Sequence, residues 1–356
     1  MNSPPRQLLE LADALRPALH HPNAGPPKPS IALAQFAVWR HRVGALLDRS
    51  WSNALEQEGE HTSEIIAVRD YLARHLDKMT RRELRQKAAS KRFRPLLEAE
   101  GVASREIKGW RLGEELYGRS TLRASKDVDL LVSPENFEAA IDLAADNGYL
   151  VAGERGPEGA RRARRIARYH REISIFDRDL NTEIELHSRT LGEPPSGWRD
   201  LRVEHGDRSA LEDPDYILYL IIHGAVTGWK RMKWLCDLAM IVEKTDADIR
   251  AIVIARSDDL DFAPALLASL MLGKELWPDC PIEPWVGELR VDPGDERVQA
   301  HLGAFRRRLA QTEAEPLPKR VLRHAQIIRD PPVFGHHPSR IRVLRSNAML
   351  WLLWKL

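Results

Sequence analysis

"KDVDLLVSPENF", residues 126–137, sets two aspartates one residue apart and runs straight into apolar residues. Side chains alternate across a strand, so Asp127 and Asp129 share one face while Val128 and Leu130 take the other. Carboxylates held that closely repel each other and must share a proton or find a cation. The strand ends at Ser133, read as an N-cap, with Pro134 in the first helical position. A helix then continues through Phe137, Ala140, Ile141 and Ala144 until Asn147-Gly148 stops it.

The same punctuation extends in both directions. Upstream, "GVASREIKGW" reads as a short strand ending at Lys108-Gly109, followed by a helix over 110–117 closed by Gly118. Downstream, "RYHREISIFDRDLNTEIELHSRT" reads as a hairpin, with strands around 169–176 and 182–187 and a polar turn between them. Glu183, Glu185 and His187 fall on one face of its second strand, and Ile184 and Leu186 on the other. From Ile31 to about Glu100 the pattern is helical, and "FAVWRHRVGALL" puts Phe36, Trp39, Val43 and Leu46 on one helix face. "PNAGPPKPS" at 22–30 is a proline-rich connector. Beyond Asp213, an N-cap ahead of Pro214, "PDYILYLIIHGAV" and "MKWLCDLAMIVEK" are helices, and the chain ends in the apolar "AMLWLLWKL". The expected organisation is a helical region over 1–100, a core over 101–210 and a helical domain over 211–356.

A length of 356 residues is ample for such a core, and a net charge of +2 creates no field that by itself implies nucleic-acid binding. Cys236 and Cys280 lack CxxC spacing, which argues against a zinc site or a disulfide framework and for a reducing compartment. The N-terminus has no basic segment leading into an apolar one, and no stretch reaches the ~20 apolar residues of a membrane span. A cytoplasmic protein is expected.

Two acidic strand faces in one core invite a hard cation. Magnesium takes a few carboxylates together with phosphate oxygens and water. Asp127 and Asp129 suit that task, and Glu185 is the best third acid for a two-metal site. A merely solvated strand face would show the same alternation. "RRARRIARYHR" at 161–171 reads first as a solvated face, with a guide for RNA, a phosphorylated acceptor or an acidic peptide as the alternative.

Five segments carry a resemblance: "IKG" at 107–109, "LRASKDVDLLV" at 122–132, "NGY" at 147–149, "IELH" at 184–187 and "HGAVTGWKRMKWLCDLAMIV" at 223–242. In order and spacing the chain resembles the DNA-polymerase-β-like nucleotidyltransferase superfamily. Within it, the likeness is to the bacterial group labelled simply "nucleotidyltransferase family protein". The resemblance implies an α+β fold, a small mixed sheet with helices flanked by helical N- and C-terminal regions. It implies Asp127, Asp129 and Glu185 as catalytic metal ligands for two Mg2+ or Mn2+ ions. The donor would be a nucleoside triphosphate such as ATP, and the acceptor a peptide or sugar in preference to RNA, in natural-product biosynthesis.

Lys108-Gly109 stands where many members carry Gly-Ser at a helix N-terminus, whose amides can cradle phosphate. A glycine turn with a solvated lysine is the alternative. Arg123 either meets phosphate, braces the acids or lies on the surface, and His187 either orients Glu185 or fills a structural role. His223 sits in an apolar helix and needs a partner, which Asp237 could supply. With Lys230, Arg231 and Lys233 these form the expected nucleotide pocket, while Trp229 and Trp234 are either base platforms or core. Two other functions fit the acid pair: glycosyl transfer from a nucleotide-sugar, which needs preceding parallel βα units, and non-catalytic nucleotide binding.

Overall fold

The computed structural model describes residues 5–19, 28–57, 63–192, 194–206, 208–311 and 332–334. The expected apolar end at 348–356 and most of the proline-rich connector lie outside the described residues.

Four helices lead into the sheet: α1 (Arg6–Leu15), α2 (Ile31–Gln35), α3 (Gly44–Gln57) and the long α4 (Ser63–Ala99). The expected single helix face over 36–46 is broken. Residues Phe36–His41 form a π-helical turn, and Arg42 closes it in the left-handed conformation at φ 59°. The extra residue per turn rotates Trp39 outward, leaving it 74% exposed while Val43 and Leu46 stay buried.

The sheet follows as β1 (Ser104–Ile107), then α5 (Gly109–Tyr117), β2 (Val128–Val132) and α6 (Phe137–Asp146). Next come β3 (Leu150–Val151), β4 (Glu154–Arg155), α7 (Gly156–Ala167) and the hairpin β5 (Glu172–Asp177) and β6 (Thr182–His187). Thus the basic run at 161–171 is mostly helix, and the first hairpin strand begins at Glu172. Ser133 makes no side-chain cap; a 3-10 turn over Pro134–Asn136 opens α6 instead. Strand order is β1-β2-β6-β5-β3-β4, with β2 and β6 parallel and the remaining pairs antiparallel. This is the mixed α+β architecture expected.

The two faces of the sheet enter different cores. Val128, Leu130, Val132, Ile184, Leu186, Ile173 and Ile175 pack on Ala89, Phe93 and Leu97 of α4 and on the apolar sides of α6 and α7. On the other face, Ile107 and Leu131 join a larger core shared with the N-terminal helices and with the C-terminal ones. The latter are α8 (Pro214–Val226), α9 (Met232–Lys244), α10 (Ala247–Asp259), α11 (Ala263–Leu276), α12 (Glu283–Glu288) and α13 (Glu296–Ala310). Cys236 and Cys280 are buried free thiols within it. No helix among the described residues is long and apolar enough to cross a membrane.

One buried ion pair ties sheet to helices. Arg105 of β1 is fully buried; its Nη1 donates to Asp213 Oδ2 at 3.0 Å, and its guanidinium lies 4.9 Å from the centroid of Tyr216. Asp213 also caps α8, accepting from the Tyr216 amide at 3.3 Å. Removing one partner strands a buried charge, which costs about 3–5 kcal/mol. Arg105→Ala should therefore lower the unfolding free energy by that much, read as a lower denaturant midpoint at unchanged m-value, and Asp213→Ala comparably. A loss below about 1 kcal/mol would show that the pair does not join the layers.

Candidate active site

The carboxylates converge because of strand register. Parallel pairing of β2 with β6 sets Asp129 beside Glu185 and Leu131 beside His187. Pairing of β5 with β6 adds Glu172 opposite His187 and Ser174 opposite Glu185 on the same face. Asp127 lies just before β2, where its carbonyl accepts from Gln86 Nε2 of α4 at 3.2 Å and from Ser125 Oγ at 2.9 Å. Pairing of β1 with β2 sets Ile107 beside Asp129, so α5 starts at the edge of the acidic cluster. Amides in the first turn of α5 have no carbonyl partner inside the helix, which suits an anion.

His187 is 1% exposed and links the acids. Its Nε2 lies 3.0 Å from Asp129 Oδ1 and 3.8 Å from Glu185 Oε2. Arg171 Nη1 stands 3.0 Å from its Nδ1. Since a guanidinium only donates, Nδ1 accepts and Nε2 carries the proton given to Asp129. Ligand atoms of Asp129, Glu185 and His187 all lie within 4.8 Å of one another, a set that fits a divalent cation. The tautomer that Arg171 imposes keeps His187 a donor to Asp129, leaving the two carboxylates as the oxygen ligands such a cation prefers.

Electrostatics match that role. Burial pushes the Glu185 carboxyl up to about 8, and the charges of Asp127 and Asp129 reinforce the shift. Asp127 is raised for the same reasons, burial first and Asp129 second. Burial opposes ionisation of Asp129 too, but Lys108 and the His187 hydrogen bond outweigh it and hold this group below the usual carboxylate range. Two acids that resist ionisation beside one that is firmly charged make a site short of positive charge.

Lys108 supplies part of it. Its Nζ lies 3.7 Å from Asp129 Oδ1 and 5.2 Å from the centroid of Tyr219. Its backbone stands at φ 59° and ψ −128°, and its amide donates to the Tyr216 hydroxyl. Non-glycine residues pay roughly 1–3 kcal/mol for such a conformation. The solvated-lysine reading is thus corrected: the side chain is 11% exposed and points among the acids. Gly109 follows at φ 55°, where glycine avoids strain.

Arg123 is buried in an ion pair with Asp237 at 3.0 Å and donates to the Gly109 carbonyl at 3.2 Å, bracing the turn before α5. Asp237 also accepts from the Tyr117 hydroxyl at 2.9 Å, so its partners are Arg123 and Tyr117 where His223 was expected. Arg123 Nε, 3.2 and 3.0 Å from the two Asp237 oxygens, occupies that carboxylate. His223 instead packs between the rings of Tyr219 and Trp234, with burial and then Lys108 lowering its pKa well below the histidine range. Lys233 is buried, donates to the Ala124 carbonyl at 2.6 Å and is lowered to about 7, by burial first and Arg123 next. Lys230 is exposed. Trp229 belongs to the core, its indole donating to Ser269 Oγ at 2.9 Å, and Trp234 is half-buried with its edge on His223. Sequence reasoning passed over Arg171, Glu172, Tyr216 and Tyr219. Glu172 had a signal, being the residue that faces His187 once the hairpin is registered.

A family model described as "Uncharacterised nucleotidyltransferase" matches residues 38–278. The chain belongs to that family. Every residue from Lys108 to Asp237 discussed above lies inside the matched span of the nucleotidyltransferase model. Comparison with curated proteins and with solved structures finds no match.

The raised Glu185 sets a pH dependence. Between its ordinary 4.5 and about 8, the metal-free folded chain keeps a proton that the unfolded chain has released. Stability from this group is therefore complete below the unfolded pKa and is lost as pH rises through the folded one. Relative to wild type, Glu185→Gln should gain melting temperature progressively from about pH 5 to about pH 8 in chelator. A difference that stays flat across that window would contradict the assigned environment.

Proposed function

We propose that the chain is a divalent-metal-dependent nucleotidyltransferase, moving a nucleoside monophosphate from a triphosphate to an acceptor oxygen and releasing pyrophosphate. In that transfer the acceptor oxygen bonds to the α-phosphorus while the bond to the pyrophosphate oxygen breaks. The observation that carries the reading is the in-register pair of Asp129 and Glu185 on adjacent parallel strands, with Asp127 two residues before. Family membership supports the general activity.

Asp129 and Glu185 would hold magnesium or manganese, with Asp127 beside them and His187 fixing Asp129. Bound there, the cation would supply positive charge to the transferring phosphate. Glu185, a carboxylate beside that cation, would receive the acceptor hydroxyl's proton on an Oε atom. Amides of the α5 first turn, Lys108 and Lys233 would meet phosphate oxygens, and Arg123 with Asp237 would keep that turn in shape. A peptide or sugar acceptor, in preference to RNA, fits a chain whose net charge is only +2. The nucleotide-sugar alternative has less support, because β2 and β6 form the one parallel pair in this sheet and no run of parallel βα units precedes them among the described residues.

Thermal shift with nucleoside triphosphates, UDP-sugars, Mg2+ and chelator separates these readings. Triphosphate and metal together should raise the melting temperature more than either alone, and more than any UDP-sugar. Asp127→Asn combined with Asp129→Asn should abolish the joint effect, and pyrophosphate release in the presence of an acceptor should fall by at least about 100-fold. A joint shift that persists undiminished in the double variant would count decisively against the assignment.

A further inference from the structure

We propose that the ammonium of Lys108 is a built-in cation of the carboxylate cluster, standing in for one of the two divalent ions that the acid pattern calls for. The site then takes a single ion. This inference rests on the nucleotidyltransferase reading of the site and deepens it.

The geometry around Asp129 is the first ground. Its Oδ1 already has Lys108 Nζ at 3.7 Å and the His187 Nε2 donor at 3.0 Å. Oδ2 is the oxygen left to join Glu185 on one ion, while the Oδ1 side, where a second ion would be held, already faces the Lys108 ammonium. Among the described residues, Asp129 and Glu185 are the carboxylates whose oxygens lie within 4.8 Å of each other, beside His187. Asp127, which a second ion would need, stands outside that group and has Lys233 and Lys108 as its positive neighbours.

The fixity of Lys108 is the second ground. A surface lysine sweeps through solvent, whereas this one is 11% exposed, with its ammonium against the Tyr219 ring. Its amide is tied to the hydroxyl of Tyr216, one turn before Tyr219 on α8. Its backbone occupies a region where glycine would sit without strain, at φ 59° and ψ −128°. A turn alone would be served better by glycine, so the side chain is what the position uses.

Manganese titration of the full chain tests the proposal, with free Mn2+ read by room-temperature EPR and metal pairs by low-temperature spin coupling. Wild type should bind one Mn2+ per chain without a spin-coupled signal. Lys108→Gly, which relieves the backbone, and Lys108→Met, which keeps the bulk, should each bind two and show the coupled signal. Two ions in wild type, or one ion in both variants, would overturn the proposal while leaving the nucleotidyltransferase reading intact. No Mn2+ binding by wild type would overturn both.

Discussion

Repulsion between Asp129 and Glu185 is the constraint around which the rest of the site is arranged. Their strands are adjacent and parallel, and the register that makes them neighbours is set on the opposite face. There Val128, Leu130, Ile184 and Leu186 pack under α4, α6 and α7. A slip by one residue would drive the acids into that core and the apolar residues into the site. Hydrophobic burial on one side of the sheet thus pays for crowded negative charge on the other.

The helical layer answers that charge. Lys108 comes from the β1–α5 turn, Lys233 from α9, and Arg171 from the residue before β5. Tyr216 and Tyr219 of α8 hold Lys108 in place, and the Arg105–Asp213 pair anchors the start of α8 against β1. Binding chemistry and domain cohesion therefore share residues. Sheet and helices are positioned by contacts that end within a few residues of the carboxylates.

Much of this was legible in the sequence because it is local. Alternation placed Asp127 and Asp129 on one strand face and Glu185 with His187 on another, and Asp213-Pro214 marked the start of α8 correctly. Partner choice across the fold was not legible. Asp237 could be paired with His223 by proximity along the chain, yet Arg123 takes it from more than a hundred residues away, at 3.0 Å. Lys108 read as either a phosphate contact or a solvated side chain, since sequence does not reveal a positive φ at a non-glycine residue. Trp39 was misplaced for a related reason: a π-helical turn shifts the helical phase without any change in hydrophobic spacing.

Anomalous diffraction from crystals grown with Mn2+ and a non-hydrolysable nucleoside triphosphate tests the central claim most directly. The account predicts a manganese peak about 2.1 Å from oxygens of both Asp129 and Glu185, with triphosphate oxygens completing its coordination. A triphosphate bound elsewhere, or manganese that ignores Glu185, would contradict it.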